Sequence, residues 1–428
     1  MSSAENSKCK KTVLKNGLRI LTIPHRGTQA AVVFVLVGTG SKYETKRTNG
    51  ISHFLEHMLF KGTKKRPTPR EVVEVVESVG GVNNAFTAED WTGYFAKVDA
   101  SHVSLAIDWV ADIFLYSVLA EKEMMKEKGV VIEEINMDRD NPMRHVSELW
   151  PQLLYGDQPA GWDIAGTKES VLGLTREDLL SYREKQYVAS NTIVCVAGKI
   201  REKEVIGKIQ EAFREIPQGT PLKKKALKEG QGAPAVLLEY RKTDQTHFVV
   251  GGRGYALSDP RRYASKLLAL VLGGGMSSRL FLKLRDELGL AYYVHTESDS
   301  DPETGSVATA AGVRNELVGS ALRAVLKEYR AISEKGAGKE ELEKAKSQMK
   351  GQFALALEAS EAKAEFFLMQ EMLEGKISSP EEMYARIEKV KGGDVQKAAQ
   401  DIFSRPKLNL VVLGPYRDKE RFEKLMKI

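Results

Sequence analysis

Apolar residues fill Ala30–Val37 without a break, and such a run reads as a strand buried on both faces. Ahead of it, Lys11 to Pro24 places apolar alternation on either side of Lys15-Asn16-Gly17, a hairpin signal. Helical periodicity begins near Gly50 and continues through Leu59, where Lys61-Gly62 stops it. A second helix is predicted from Thr68 or Pro69 to Val79, with Gly80-Gly81 past its end. Val82 to Val98 reads as two strands, Ser101 to Tyr116 as a helix, and Glu121 to Asp138 as a long charged helix. A less regular stretch follows, to about Gly166.

Lys, Gly and Pro then dominate Ala226 to Pro234, and this loss of apolar residues marks a linker. Beyond it the pattern repeats. Strands are predicted at Ala235–Tyr240 and His247–Val250, and helices at Arg261–Leu272 and Ser277–Leu288. Strands at Ala291–Ser298 and Ser306–Val313 follow, then a long helix at Glu316–Lys335. The expected fold is α+β. Two related domains, 1–218 and 233–428, flank a linker at 219–232, each a mixed sheet with helices packed against it.

The chain has 428 residues, 42% of them hydrophobic and 29% charged, as in an ordinary globular protein. Its net charge of +6 is spread among nearly as many acids, with no basic stripe interleaved with aromatics, so nucleic acid is not an expected partner. The densest basic run, Lys223-Lys224-Lys225, falls in the linker. No segment approaches the ~20 apolar residues that cross a bilayer. Met1 to Ser7 lacks the apolar core of a leader peptide. Only two cysteines occur, Cys9 and Cys195, in unlike surroundings. A disulfide framework is therefore not expected, and a reducing cytoplasm is.

Chemistry concentrates in His53-Phe54-Leu55-Glu56-His57. At ~100° per residue, positions i, i+3 and i+4 share one narrow wedge of a helix. Two imidazoles one turn apart can both reach a single cation, as tetrahedral zinc requires. Glu56 lies in the same wedge, where a carboxylate can take a proton from metal-activated water. The order inverts the commoner His-Glu-x-x-His arrangement. Phe54, Leu55, Met58 and Leu59 are apolar, so this helix must pack inside, and buried paired histidines call for a metal or hydrogen-bonding partners. Three protein ligands are usual at a catalytic zinc. Spacing alone leaves Glu133 and Glu134 both open as the third. His25, His102, His145, His247 and His295 show no ligand spacing among themselves.

The stretch Gly50 to Thr63 closely resembles the zinc-site segment of the pitrilysin-type metallopeptidases, a family that includes insulin-degrading enzyme, the mitochondrial processing peptidase and small two-domain bacterial members. Glu127-Lys128-Gly129-Val130-Val131-Ile132-Glu133-Glu134 resembles its third-ligand segment, and Gly81 to Thr87 its substrate-binding edge strand. Leu272 to Leu280 and Arg285 to Tyr292 are similar to segments of its second domain. The resemblance implies one Zn²⁺ per chain on His53, His57 and Glu134, with Glu56 as general base. Glu127, seven residues or two turns before Glu134, would orient a histidine. It also implies peptide contacts at Asn84, Ala85 and Phe86, and a substrate-holding pair in Arg285 and Tyr292.

The expectation is thus a zinc endopeptidase for short or unfolded peptides. Family architecture implies a clamshell chamber of four such domains. Two here would make half of it, so a homodimer is expected, or a heterodimer with a related chain, with Arg285 and Tyr292 facing the partner's zinc. An active subunit needing a distinct inactive partner is one alternative. A non-catalytic core subunit, as in respiratory complexes, is another, though such chains typically have broken metal motifs. Gly273-Gly274-Gly275 lacks the lysine and spacing of a phosphate loop and reads as a turn. The processing peptidase's partner subunit is longer there, which argues against a presequence role.

Overall fold

The computed structural model describes residues 9–426. The leader reading of Met1 to Ser7 falls outside them. Two mixed sheets with packed helices make the fold α+β, and each belongs to its own compact unit.

In the first unit, strands β1 (Lys10–Val13), β2 (Arg19–Pro24), β3 (Ala30–Val37), β4 (Val82–Thr87), β5 (Thr92–Asp99) and β6 (Thr192–Gly198) run in the order β1-β2-β6-β3-β5-β4. β3 lies antiparallel between β6 and β5. Its unbroken apolar run has a direct cause, because both faces are covered. Val33, Val35 and Val37 face the main core with Phe54, Leu55 and Met58. Val32, Phe34 and Leu36 face the other way, onto Ala364, Phe367 and Leu368 of the helix Ser360–Met369.

The second unit holds β7 (Ala235–Tyr240), β8 (Gln245–Arg253), β9 (Ala291–Ser300), β10 (Gly305–Arg314) and β11 (Leu408–Gly414), in the order β7-β11-β8-β10-β9. One face carries Phe248, Val250, Leu410 and Val412 into its main core. The opposite face, Val249, Ala310, Val411 and Leu413, is covered by Val146, Leu149, Trp150 and Leu154 of the helix Pro142–Tyr155.

The chain therefore exchanges segments. The first unit takes residues up to Asn136, Trp162–Ala226 and Ala356–Ile377; the second takes Met137–Gly161, Leu227–Leu355 and the chain from Ser378. The expected linker, 219–232, contains one crossing, at Ala226 and Leu227. Contiguous halves are not what folds, because each sheet draws the cover for its second face from the other half of the sequence.

Two further expectations differ. The stretch expected to be irregular before Gly166 contains the helix Pro142–Tyr155, capped by the Asn141 side chain and carrying Pro151 inside it. The helix expected at Ser277–Leu288 is a short α-turn, Arg279–Phe281, running into a π-turn, Leu282–Glu287. Among the described residues no helix is long and apolar enough to cross a membrane.

Candidate metal centre

The motif helix, Ile51–Leu59, buries Ile51, Phe54, Leu55, Met58 and Leu59 and turns His53, Glu56 and His57 the other way. Its N-cap residue, Gly50, has no side chain to offer as a cap. Gly50 has φ 91, in the left-handed region. A Cβ there would lie 2.5 Å from the Ala165 carbonyl oxygen, so only glycine fits. The orphan N–H groups find a carboxylate from outside the helix. Glu44, 3% exposed, accepts from Gly50 N at 2.7 Å, Ser52 N at 2.9 Å and Asn49 Nδ2 at 3.0 Å. Burial pushes its carboxyl up to about 7, against the pull of those hydrogen bonds.

His53 Nε2 and His57 Nε2 lie 3.3 Å apart. Glu134 Oε2, from the helix Glu121–Asp140, lies 3.6 Å from the first and 3.5 Å from the second. Two ligand atoms ~2.0–2.1 Å from a tetrahedral zinc stand ~3.3–3.4 Å apart. The observed triangle is one face of such a tetrahedron, and the donor set of two imidazoles and a carboxylate suits zinc. Glu133 is exposed and lies outside this cluster, which takes in Glu134.

Glu127, two turns earlier on the same helix, is 4% exposed and bonds His57 Nδ1 and Lys61 Nζ, both at 2.8 Å. Burial works to raise its carboxyl, but His57 and Lys61 prevail and hold it below the usual range. The bond fixes the His57 ring so that Nε2 faces Glu134. Burial also lowers His57, yet its bonds to Glu127 and Glu134 carry it to about 9. His53 goes the opposite way, to about 4, through burial and the neighbouring His57 ring.

Glu56 stands beside this triangle. Burial raises its carboxyl to about 6, and Thr87 donates a hydrogen bond to Oε2 at 2.5 Å. Thr87 ends β4, the edge strand of the first sheet, which among the described residues pairs only with β5. Asn84, Ala85 and Phe86 lie on that edge, opposite Phe95, Tyr94 and Gly93. Phe86 is a packing residue: its ring sits 4.9 Å from Trp91 and occupies the space a Cβ on Gly93 would need.

In the second unit, Arg285 and Tyr292 come together, with Arg285 Nη1 donating to the Tyr292 carbonyl at 3.2 Å. Each sits on a backbone irregularity. Arg285 lies in the π-turn, and Tyr292 is skipped where the β10–β9 register slips. The bulge turns Tyr292 outward, leaving it 74% exposed. Glu44, Lys61 and Thr87 went unnoticed in the sequence. Their partners lie too far off in the chain, or too irregularly placed, for any periodicity to signal them.

Two family descriptions match the chain: Insulinase (Peptidase family M16) over residues 19–168, and Peptidase M16 inactive domain over residues 173–349. An uncharacterized zinc protease of Streptomyces coelicolor is 34% identical over 417 residues, covering 96% of this chain and 90% of that protein. The uncharacterized zinc protease YmxG of Bacillus subtilis is 33% identical over 397 residues, covering 92% and 96%. Among solved structures, a protease from Helicobacter pylori superposes with a TM-score of 0.90 at 24% identity over 96% of this chain and all of that one. A chain of complex III₂ from Candida albicans gives 0.84 at 20% identity, over 97% and 99%. At such identities these two likenesses speak for the fold alone.

Proposed function

Because the chain belongs to the insulinase family of peptidases, M16, we propose that it is a zinc endopeptidase acting on short or unfolded peptides. The observation that carries this reading is the triangle of 3.3, 3.5 and 3.6 Å formed by two imidazole nitrogens and a carboxylate oxygen. His53, His57 and Glu134 would hold one Zn²⁺ per chain and leave a position free for water. Bound there, zinc would supply a Lewis acid that brings the pKa of water toward ~7 and polarises a carbonyl.

The chain's own groups do the rest. Glu56, with its carboxyl at about 6, is ionised at neutral pH yet close enough to it to carry a proton well. Its carboxylate, held through Oε2 by Thr87, would take the proton from water and pass it to the leaving amine. Thr87 holds the carboxylate in place for that transfer, and Glu127 orients the His57 ring. The open edge of β4, at Asn84 and Ala85, would pair with an extended peptide backbone, a mode that reads main chain more than side chains. Arg285 and Tyr292 would grip the substrate from a second protomer of a homodimer. Free Cys9 and Cys195 support a cytoplasmic setting. An intact ligand triangle with an acid beside it favours an enzyme over a structural subunit.

Glu56→Gln tests the reading. Zinc content by mass spectrometry should stay at one per chain while cleavage of a quenched peptide disappears. A variant that still cleaves removes Glu56 from the role.

A further inference from the structure

The metal triangle needs two helices, far apart in sequence, held in register to about 0.5 Å. A third helix, Arg176–Gln186, touches the supports of both. Toward the motif helix it sends Tyr182, whose hydroxyl bonds Ser52 Oγ at 2.8 Å and Thr39 Oγ1 at 2.6 Å. Ser52 is the residue before His53. From the same helix Asp178 forks onto Arg47, in the turn ahead of the motif helix.

Toward the Glu134 helix it sends two arginines. Arg183 Nη1 donates to the Ser117 carbonyl at 2.6 Å; Arg176 donates to the carbonyls of Leu119, at 2.8 Å, and Val118, at 3.2 Å. These three carbonyls form the lead-in to the helix Glu121–Asp140. Leu119 there has φ 48, the one left-handed non-glycine residue among the described residues, and is 1% exposed. Such backbone persists only where its surroundings enforce it. Neither arginine pairs with a carboxylate among the described residues, so both guanidinium groups are committed to main-chain oxygens. The same turn reaches back to the motif helix, since Ser117 Oγ donates to the Met58 carbonyl at 3.1 Å.

A helix transmits axial displacement along its length, so a slip of its first turn carries Glu127 and Glu134 with it. We propose that Arg183, with Arg176, is a positioning residue for the metal centre. By gripping the Ser117–Leu119 turn from the helix that also anchors Ser52, it sets the spacing between the histidine pair and Glu134. The inference rests on the zinc reading above. It places that control in a stretch matched by the inactive-domain description, although the helix packs within the first unit.

Arg183→Met keeps the alkyl stem and removes the donor; Arg183→Lys keeps a donor. Val205→Ala, in the core of the first unit, is the control for general destabilisation. Zinc dissociation constants come from chelator competition, coordination geometry from the cobalt(II) absorption spectrum, and local order from hydrogen exchange of the metal-free protein. Arg183→Met should weaken zinc by about tenfold or more, shift the cobalt bands and speed exchange across residues 117–135. Arg183→Lys should recover most of the loss, and Val205→Ala should lower Tm without moving affinity or spectrum. Unchanged affinity and bands in Arg183→Met overturn the proposal, as does equal weakening in Val205→Ala. If the unsubstituted chain takes no zinc, the metal reading falls. The grip is then judged on exchange alone: unchanged rates across 117–135 in Arg183→Met refute it, and faster rates uphold it.

Discussion

Removing Glu44 should loosen the motif helix from its first turn. Its two oxygens satisfy the N–H groups of Gly50 and Ser52 and the amide of Asn49, and no side chain of the helix can replace them. In Glu44→Ala two buried backbone donors lose their acceptor, while the Asn49 amide keeps the Asp163 carbonyl. Each orphaned donor costs ~1–3 kcal/mol when it stays dry. Water entering the vacated space recovers part, which leaves roughly 3–5 kcal/mol for two lost hydrogen bonds to a charged acceptor at ~1.5–3 kcal/mol each. That is a large share of a typical ~5–15 kcal/mol folding stability. The assay is hydrogen exchange read on peptides spanning Ile51–Leu59, because a local measurement needs no two-state assumption for a chain of two units. At ~1.4 kcal/mol per decade, exchange should quicken by about two to three orders of magnitude. Protection within threefold of the unsubstituted chain would refute the idea that Glu44 caps this helix.

Thr87→Val deletes the hydroxyl that holds Glu56; kcat should fall about tenfold while zinc content holds, as for a lost charge-assisted hydrogen bond, and an unaltered kcat would acquit Thr87. His145 is held in its charged form mainly by Glu148 and, from β7, by Glu239, and its pKa is raised. A raised histidine adds stability below its unfolded value of ~6.5 and loses it as pH climbs through the folded value. Protection of the helix Pro142–Tyr155, corrected for intrinsic rates, should therefore decline through neutral pH, and His145→Gln should flatten the profile. A dimer with shared sites predicts that mixing Glu56→Gln with Arg285→Ala chains restores part of the activity. No recovery after proven subunit exchange counts against it.

Reading the chain for periodicity found the elements whose burial is simple. Ala30–Val37 is apolar throughout because two layers cover it, and His53, Glu56 and His57 stand out because a helix leaves them on one side of Phe54, Leu55 and Met58. Prolines misled: Pro142 and Pro151 hid a helix whose apolar face, Val146, Leu149, Trp150 and Leu154, keeps helical spacing. A π-turn passed for α-helix at Leu282–Glu287, since one widened turn hardly disturbs an apolar pattern. β11, at the centre of hydrogen bonding between β7 and β8, was missed in a stretch left unassigned. Glu134 needed the family likeness because two adjacent glutamates look alike until the helix is turned toward its partners. Glu44 and Thr87 act across loops, and only folding brings them to the motif helix.

The borrowed helices also dictate an order of events on the ribosome. When β6 emerges, every strand of the first sheet has been made, but Phe34, Leu36 and Cys195 still lack their cover, which arrives only with Phe367 and Leu368. The nascent first unit must wait with a bare greasy flank through most of the remaining synthesis. A truncated gene product ending at the linker would keep that flank for good, a natural target for chaperones and a poor candidate for expression as an isolated fragment.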